Sequence, residues 1–375
     1  MKRGYYKVED KIFYSKVKAL QEGTRLNFHP TWDFNDHVFD KLDWSVPIKQ
    51  SIETLYKERA LQIRETYDYV IVLFSGGVDS TTVLESFLKN QIPVDEVFIY
   101  WPFKAMHQGN FYNPNNKDID GSNILSEWTY SIETKLKFLK KYYPNVKITI
   151  ADYTDNLFQE FTDDLYNLAG HNVMAGYFMR QRVLKQMAAT NISDNKKVAL
   201  VAGIDKPKLH IDEKERAIYG YFLDIPCNSQ RPSDDANKII ELFYWTPDMP
   251  ELPIKACQLV ASHITQHTDF VKYFKNEYVD SLHGNETSRS IIGSLLYKDW
   301  DNNTFQVGKS LSDIYPEHDA WIHNNFSNSL YIQSWQSNIE LHLNDIDKKY
   351  FKYNKSGERV GFVGFITKMH KICNY

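Results

Sequence analysis

Cysteine is scarce in this chain. Its 375 residues hold three, Cys227, Cys257 and Cys373, and no two form a CxxC pair. That spacing offers no zinc pattern and speaks against a disulfide framework. Long apolar runs are also missing: no stretch approaches the ~20 residues that a membrane span needs. The opening MKRGYYKVEDKIFY is basic but has no apolar segment, so it does not read as a secretory leader. A reducing cytoplasm and no membrane segment are therefore expected. Charge of one sign is not in large excess either. Lys and Arg number 44 against 48 Asp and Glu, a net charge of −4. The molecule as a whole is not built to bind a polyanion, and a nucleic-acid partner would need a local basic patch. Internal repeats and low-complexity segments are absent.

What is present is a soluble-type composition with 42% hydrophobic residues, enough for a real core, and 25 Tyr, 22 Phe and 8 Trp. Such aromatics fill cores, and Tyr and Trp also make stacking surfaces for bases. The length suggests roughly two lobes. Residues 1–65 read as a mixed, aromatic N-terminal extension with a helix at 49–66. Tyr69–Phe74 (YVIVLF) is a continuous apolar run, the mark of a strand buried on both faces. A turn and a helix over Ser80–Lys89 follow. Further strands are expected at Glu96–Trp101, 146–151 and Lys197–Ala202, with helices at 124–142, 155–168 and 172–188 between them. Strand alternating with helix predicts an α/β fold with a doubly wound, mainly parallel sheet over 66–212. Residues 213–375 lack the alternation. With helical stretches near 251–275 and 286–297, they read as a mainly helical C-terminal lobe.

The chemistry is concentrated in Ser75-Gly76-Gly77-Val78-Asp79-Ser80, between the first strand and its helix. Two glycines let the backbone take positive φ and approach a ligand closely. Successive N–H groups then make a concave anion site, reinforced by the positive end of the following helix. Ser75 and Ser80 add hydroxyl donors. A carboxylate beside a phosphate calls for a cation between them, so Asp79 is a natural Mg²⁺ ligand. Open α/β sheets bind ligands at the carboxyl ends of their strands, where this loop lies. The bland alternative is a tight strand-to-helix turn capped by Ser80.

SGGVDS after an apolar strand resembles the PP-loop of the adenine nucleotide alpha hydrolase superfamily, the N-type ATP pyrophosphatases. Asparagine synthetase, GMP synthetase, argininosuccinate synthetase, tRNA thiolation enzymes and phosphoadenylylsulfate reductase belong to it. The likeness covers about 66–210 as a domain, with the loop its specific match, and the arrangement also resembles PP-loop proteins of tailed bacteriophages. It implies a HUP-like fold, ATP and Mg²⁺ as cofactors, and attack on the α-phosphorus. The products would be pyrophosphate and an adenylated small-molecule or nucleotide substrate, in the cytoplasm (the host's, for a phage-encoded chain).

In this fold the second strand ends beside the adenine, which nominates Tyr100 and Trp101; core packing is the equal alternative. Gly203 and Asp205 end the fourth strand on the loop's edge, Asp205 as a second candidate metal ligand. Lys206 and Lys208 follow. With Asp79 they form the candidate catalytic set, as phosphate neutralisers, unless they are simply exposed. Arg180 and Arg182 read either as phosphate or acidic-substrate contacts or as a solvated helix face, and Lys255 has the same two readings. Other signals fall away. Gly308-Lys309-Ser310 lacks the earlier glycine of a Walker A loop, since residue 303 is Asn. His263 and His267 lack the glutamate of HExxH, since residue 264 is Ile. Cys373 lacks the Glu-Cys-Gly setting of a sulfonucleotide reductase.

Adenylating ligase or amidotransferase chemistry is thus the leading expectation. Residue 2 is Lys, so there is no N-terminal glutaminase nucleophile, and nitrogen would come from ammonia, an amine or another protein. The absence of paired cysteines weakens a thiolation or deazaguanine-synthase reading. A reductase-like sulfonucleotide enzyme and a non-catalytic nucleotide binder are the alternatives.

Overall fold

A computed structural model describes residues 4–14, 16–100, 127–152, 192, 195–204, 206–224, 237–271, 286–301, 351–353, 359–362 and 365–375. The first elements are β1 (Tyr5–Val8), β2 (Lys11–Phe13), α1 (Lys16–Leu26), β3 (Thr31–Asp33), α2 (Asp36–Phe39), α3 (Ile52–Thr66), β4 (Tyr69–Leu73), α4 (Val78–Leu88) and β5 (Glu96–Tyr100). After a π-helical turn over Glu127–Ile132 come α5 (Glu133–Tyr142), β6 (Lys147–Ala151), β7 (Val198–Ala202), β8 (Lys208–Asp212), β9 (Ala217–Tyr221) and β10 (Lys238–Leu242). The remainder holds α6 (Glu251–Gln266), α7 (Glu286–Leu296), β11 (Phe351–Tyr353), β12 (Arg359–Phe362) and β13 (His370–Asn374).

The apolar runs form the sheet predicted for them. β4 buries Val70, Ile71 and Val72, and every residue of β7 is buried. Their neighbours give the order β10–β7–β4–β5–β6, with every pairing parallel. The chain runs outward from β4 through β5 to β6. It then returns to the other flank of β4 as β7, with β10 outside it. The order therefore reverses between β4 and β7, a switch point of the kind at which open α/β sheets bind ligands beside the carboxyl ends of their strands.

Helices cover this sheet for reasons visible in their sequences. Ser51 caps α3 by accepting the Thr54 amide at 3.1 Å. Buried Ile52, Leu55, Tyr56, Arg59, Ala60 and Ile63 then recur at helical spacing. Arg59 crosses to β10, where it pairs with Glu241 at 2.6 Å, and Tyr67 donates its hydroxyl to the same carboxylate.

Two expectations change. The fifth strand of the sheet comes from 238–242, beyond the boundary expected at 212. Moreover, the described part of 213–375 mixes helices α6 and α7 with strands. One of these, β13, lies against β9 in an antiparallel sheet of order β13–β9–β8. A helix-only pattern misses these strands because they are short, three to five residues each, and because β13 pairs with β9 across a long stretch of chain. Residues 1–65, too, are more than an extension. The sheet β2–β1–β3 contributes to one continuous core, in which Phe34 and Phe39 meet Phe222 at ring distances of 4.8 and 4.7 Å. No helix among the described residues is long and apolar enough to cross a membrane.

Candidate functional site

The loop leaves the sheet in a defined way. Past β4, the Phe74 amide still donates to the Phe98 carbonyl at 2.9 Å, so the ladder holds up to the first loop residue. Gly76 then turns the chain with φ of 80°, a conformation that costs a side-chain-bearing residue energy. Gly77 is the N-cap of α4 and supplies no side-chain acceptor. The first amides of α4 are thus left for an anion, together with the positive end of its dipole. Ser80 folds back to brace the turn: its Oγ accepts the Ser75 amide at 3.2 Å, lies 3.2 Å from Ser75 Oγ and donates to the Gly77 carbonyl at 3.1 Å.

Asp79 is where the elements converge. Gly203, just after β7, packs against the first turn of α4. A Cβ built there would lie 3.0 Å from the carbonyl carbon of Asp79 and 3.1 Å from the Ser80 nitrogen. This close approach carries Lys206 to the loop, where its Nζ pairs with Asp79 Oδ2 at 2.7 Å. Tyr244, just after β10, donates its hydroxyl to the Asp79 carbonyl oxygen at 2.8 Å. Tyr297, just after α7, donates to Asp79 Oδ1. Burial first, and then the charge of Asp79, pushes the Tyr297 hydroxyl well up. Tyr244 is likewise raised by burial, with the neighbouring Tyr56 and Asp79 adding to it. Both phenols therefore stay protonated as donors. Neither has a local sequence signal, because 165 and 218 residues separate them from Asp79.

The other nominated residues divide. Lys208 opens β8, opposite Tyr221. Tyr100 ends β5, opposite Ala151 at the carboxyl edge of the sheet. Trp101, Arg180, Arg182, Asp205 and the 308–310 segment lie outside the described residues. Lys255 is a structural strut: its Nζ donates to the Ile48 carbonyl at 2.8 Å, tying α6 to the N-terminal segment. The rings of His263 and His267 lie 4.7 Å apart, and no cluster of metal-ligating side chains occurs among the described residues. In β13, His370 is buried and stacked on Trp44 at 4.5 Å. Burial raises the Cys373 thiol above its usual range and raises that of Cys257 far above it.

A cavity of about 330 Å³ lies beside the loop rather than over it. It runs down the flank of α4 and touches the loop region through Val78 and Tyr297. For phosphate chemistry the cradle at the strand ends weighs more than the volume beside it, because only the cradle offers amides and a cation together.

Comparison with protein-family models, curated proteins and solved structures finds no match to this chain.

Proposed function

We propose that the 75–80 loop binds the phosphates of ATP and that the protein splits ATP into AMP and pyrophosphate while adenylating an acceptor. The supporting observation is the meeting, at the switch point of a parallel sheet, of a positive-φ glycine, an uncapped helix N-terminus and the Lys206–Asp79 pair. Loop amides and the start of α4 would hold the phosphates. Lys206, flexible and one-quarter exposed, would move from Asp79 onto the negative charge that builds on the leaving pyrophosphate. An acceptor oxygen attacks the α-phosphorus, the bond to the bridging oxygen breaks, and a second nucleophile later displaces AMP. On this reading the sheet is HUP-like and the chain belongs with the PP-loop enzymes.

Mg²⁺ fits Asp79 by donor type, since a hard cation takes a carboxylate together with phosphate oxygens, and it would neutralise charge on the phosphates. In this structure the Lys206 ammonium occupies the flank of that carboxylate. Asp79 would hold the ion once Lys206 has turned to the phosphates, with Tyr297 fixing the other carboxylate oxygen. The reductase alternative draws nothing from Cys373, whose burial in β13 disfavours the thiolate that such chemistry needs.

The deciding experiment follows ATP labelled at the α-phosphate. Labelled AMP with an equal amount of pyrophosphate is expected when acceptor and nucleophile are supplied from a metabolite mixture. Labelled ADP, or tight binding of intact ATP without turnover, would refute the adenylating reading.

A further inference from the structure

The cavity beside α4 has a character of its own. Its walls come from α3, α4, α5 and the residues that follow α7. Four of its charged side chains satisfy one another: Glu85 pairs with Lys89 and with Lys135, and Lys89 also with Asp299. Two others, Glu53 and Lys298, line the same space and form no ion pair among the described residues. Thr81 lines it too, 7% exposed, and its Oγ1 has no hydrogen-bond partner among the described residues. Buried hydroxyls are ordinarily paired, so an orphan in a cavity wall marks a place where a ligand atom completes the set. Ser131, in the π-helical turn before α5, and Thr134 of α5 add hydroxyls to the cavity lining. A volume of about 330 Å³ lies at the small end of the roughly 300–1,000 Å³ typical of ligand sites.

We propose that this cavity binds a free α-amino acid, with Glu53 taking the ammonium group, Lys298 the carboxylate, and the hydroxyls of Thr81 and Thr134 the polar part of the ligand. The charge balance selects this class. Glu53, Glu85, Asp299 and Asp301 outnumber Lys89, Lys135 and Lys298, so a phosphate or other simple anion meets net repulsion. A neutral polyol leaves the two opposite unpaired charges unanswered. A zwitterion answers both and is small enough to enter. The site stands whether or not the loop takes ATP, but the two are neighbours: Tyr297 lines the cavity and also donates to Asp79. An occupant is thus one side chain away from the loop carboxylate.

The test is calorimetric titration of the full chain, without nucleotide, with each of the twenty common amino acids in turn and with inorganic phosphate. At least one amino acid is expected to bind saturably with a Kd of about 1 mM or tighter. Glu53→Gln and Lys298→Gln change exposed positions and should each weaken that binding by roughly tenfold or more, as should Thr81→Val. Thr134→Trp, also at an exposed position, should abolish it by filling the mouth. The proposal is overturned if none of the twenty binds saturably up to about 10 mM, if binding survives both Lys298→Gln and Thr134→Trp, or if phosphate alone binds in a Lys298-dependent way. Gly76→Val separates this idea from the nucleotide reading, since it should lose pyrophosphate release and keep amino-acid binding.

Discussion

Two aspartates in this molecule have nearly the same partners and opposite surroundings. Asp79 has Lys206 at 2.7 Å and the Tyr297 hydroxyl on its carboxylate; the lysine and aspartate side chains are 23% and 25% exposed. Asp224 has Lys16 at 2.9 Å and the Tyr6 hydroxyl at 2.8 Å, and both charged side chains are fully buried. A backbone amide, that of Phe365, completes the second set at 2.9 Å. A Lys–Asp–Tyr constellation is thus no functional signature in itself. Sealed, it is a clamp, because both charged side chains are closed off from solvent. Left partly open beside a glycine turn and an uncapped helix, the lysine can be recruited by an incoming anion and the carboxylate by a cation. Position at the carboxyl ends of β4 and β7, rather than residue type, distinguishes the two.

The contrast can be broken by experiment. The largest effect is expected at the sealed site. Asp224→Ala removes the carboxylate beside the fully buried Lys16 ammonium, which should cost about 3–5 kcal/mol in chemical denaturation; a loss below about 1 kcal/mol would mean the clamp is not one. Next comes Asp79→Asn. Pyrophosphate release should fall by about 100-fold or more, while stability changes by less than about 1 kcal/mol, because the pair is open to solvent. Activity near that of wild type would remove Asp79 from the proposed site. Tyr297→Phe deletes one hydrogen bond, worth roughly 1 kcal/mol, so a loss of about five- to tenfold in kcat is predicted. If kcat is unchanged, Tyr297 is packing only. Smallest is Cys373→Ser: with its thiol held up by burial and no role in adenylation, turnover should stay within about twofold of wild type. Elimination of turnover would revive the reductase alternative.

Much of the five-stranded parallel sheet could be anticipated, because buried parallel strands announce themselves as apolar runs. The expected strand at Tyr69–Phe74 is β4 (Tyr69–Leu73), and that at Lys197–Ala202 is β7 (Val198–Ala202). The loop between β4 and α4 was also legible, since glycine, serine and aspartate at such spacing have few other uses there. What escaped depends on distance along the chain. β10 (KIIEL) is a run of five that carries Glu241, a charge that makes sense only once Arg59 and Tyr67 are brought to it. β8 is a short strand of alternating burial and β9 a short, mostly buried one, and the second partner of β9, β13, lies roughly 150 residues further on. Lys206 was nominated from its place after a strand, but nothing nearby pointed to Tyr244 or Tyr297. A hydroxyl aimed at a carboxylate across the core leaves no periodic trace.

The clamp at Asp224 also has a history in time. Tyr6 and Lys16 are made early, whereas the Phe365 amide emerges 141 residues after the aspartate. At roughly 5–20 residues per second of synthesis, the ribosome needs on the order of ten seconds or more to deliver it. During that interval the growing chain holds a carboxylate and an ammonium that cannot yet be enclosed completely. Until then Tyr6 lacks the Phe365 ring that meets it at 5.7 Å in the finished chain. A chain ending before residue 365 would lack the amide that completes the Asp224 set and should be less stable than the full chain.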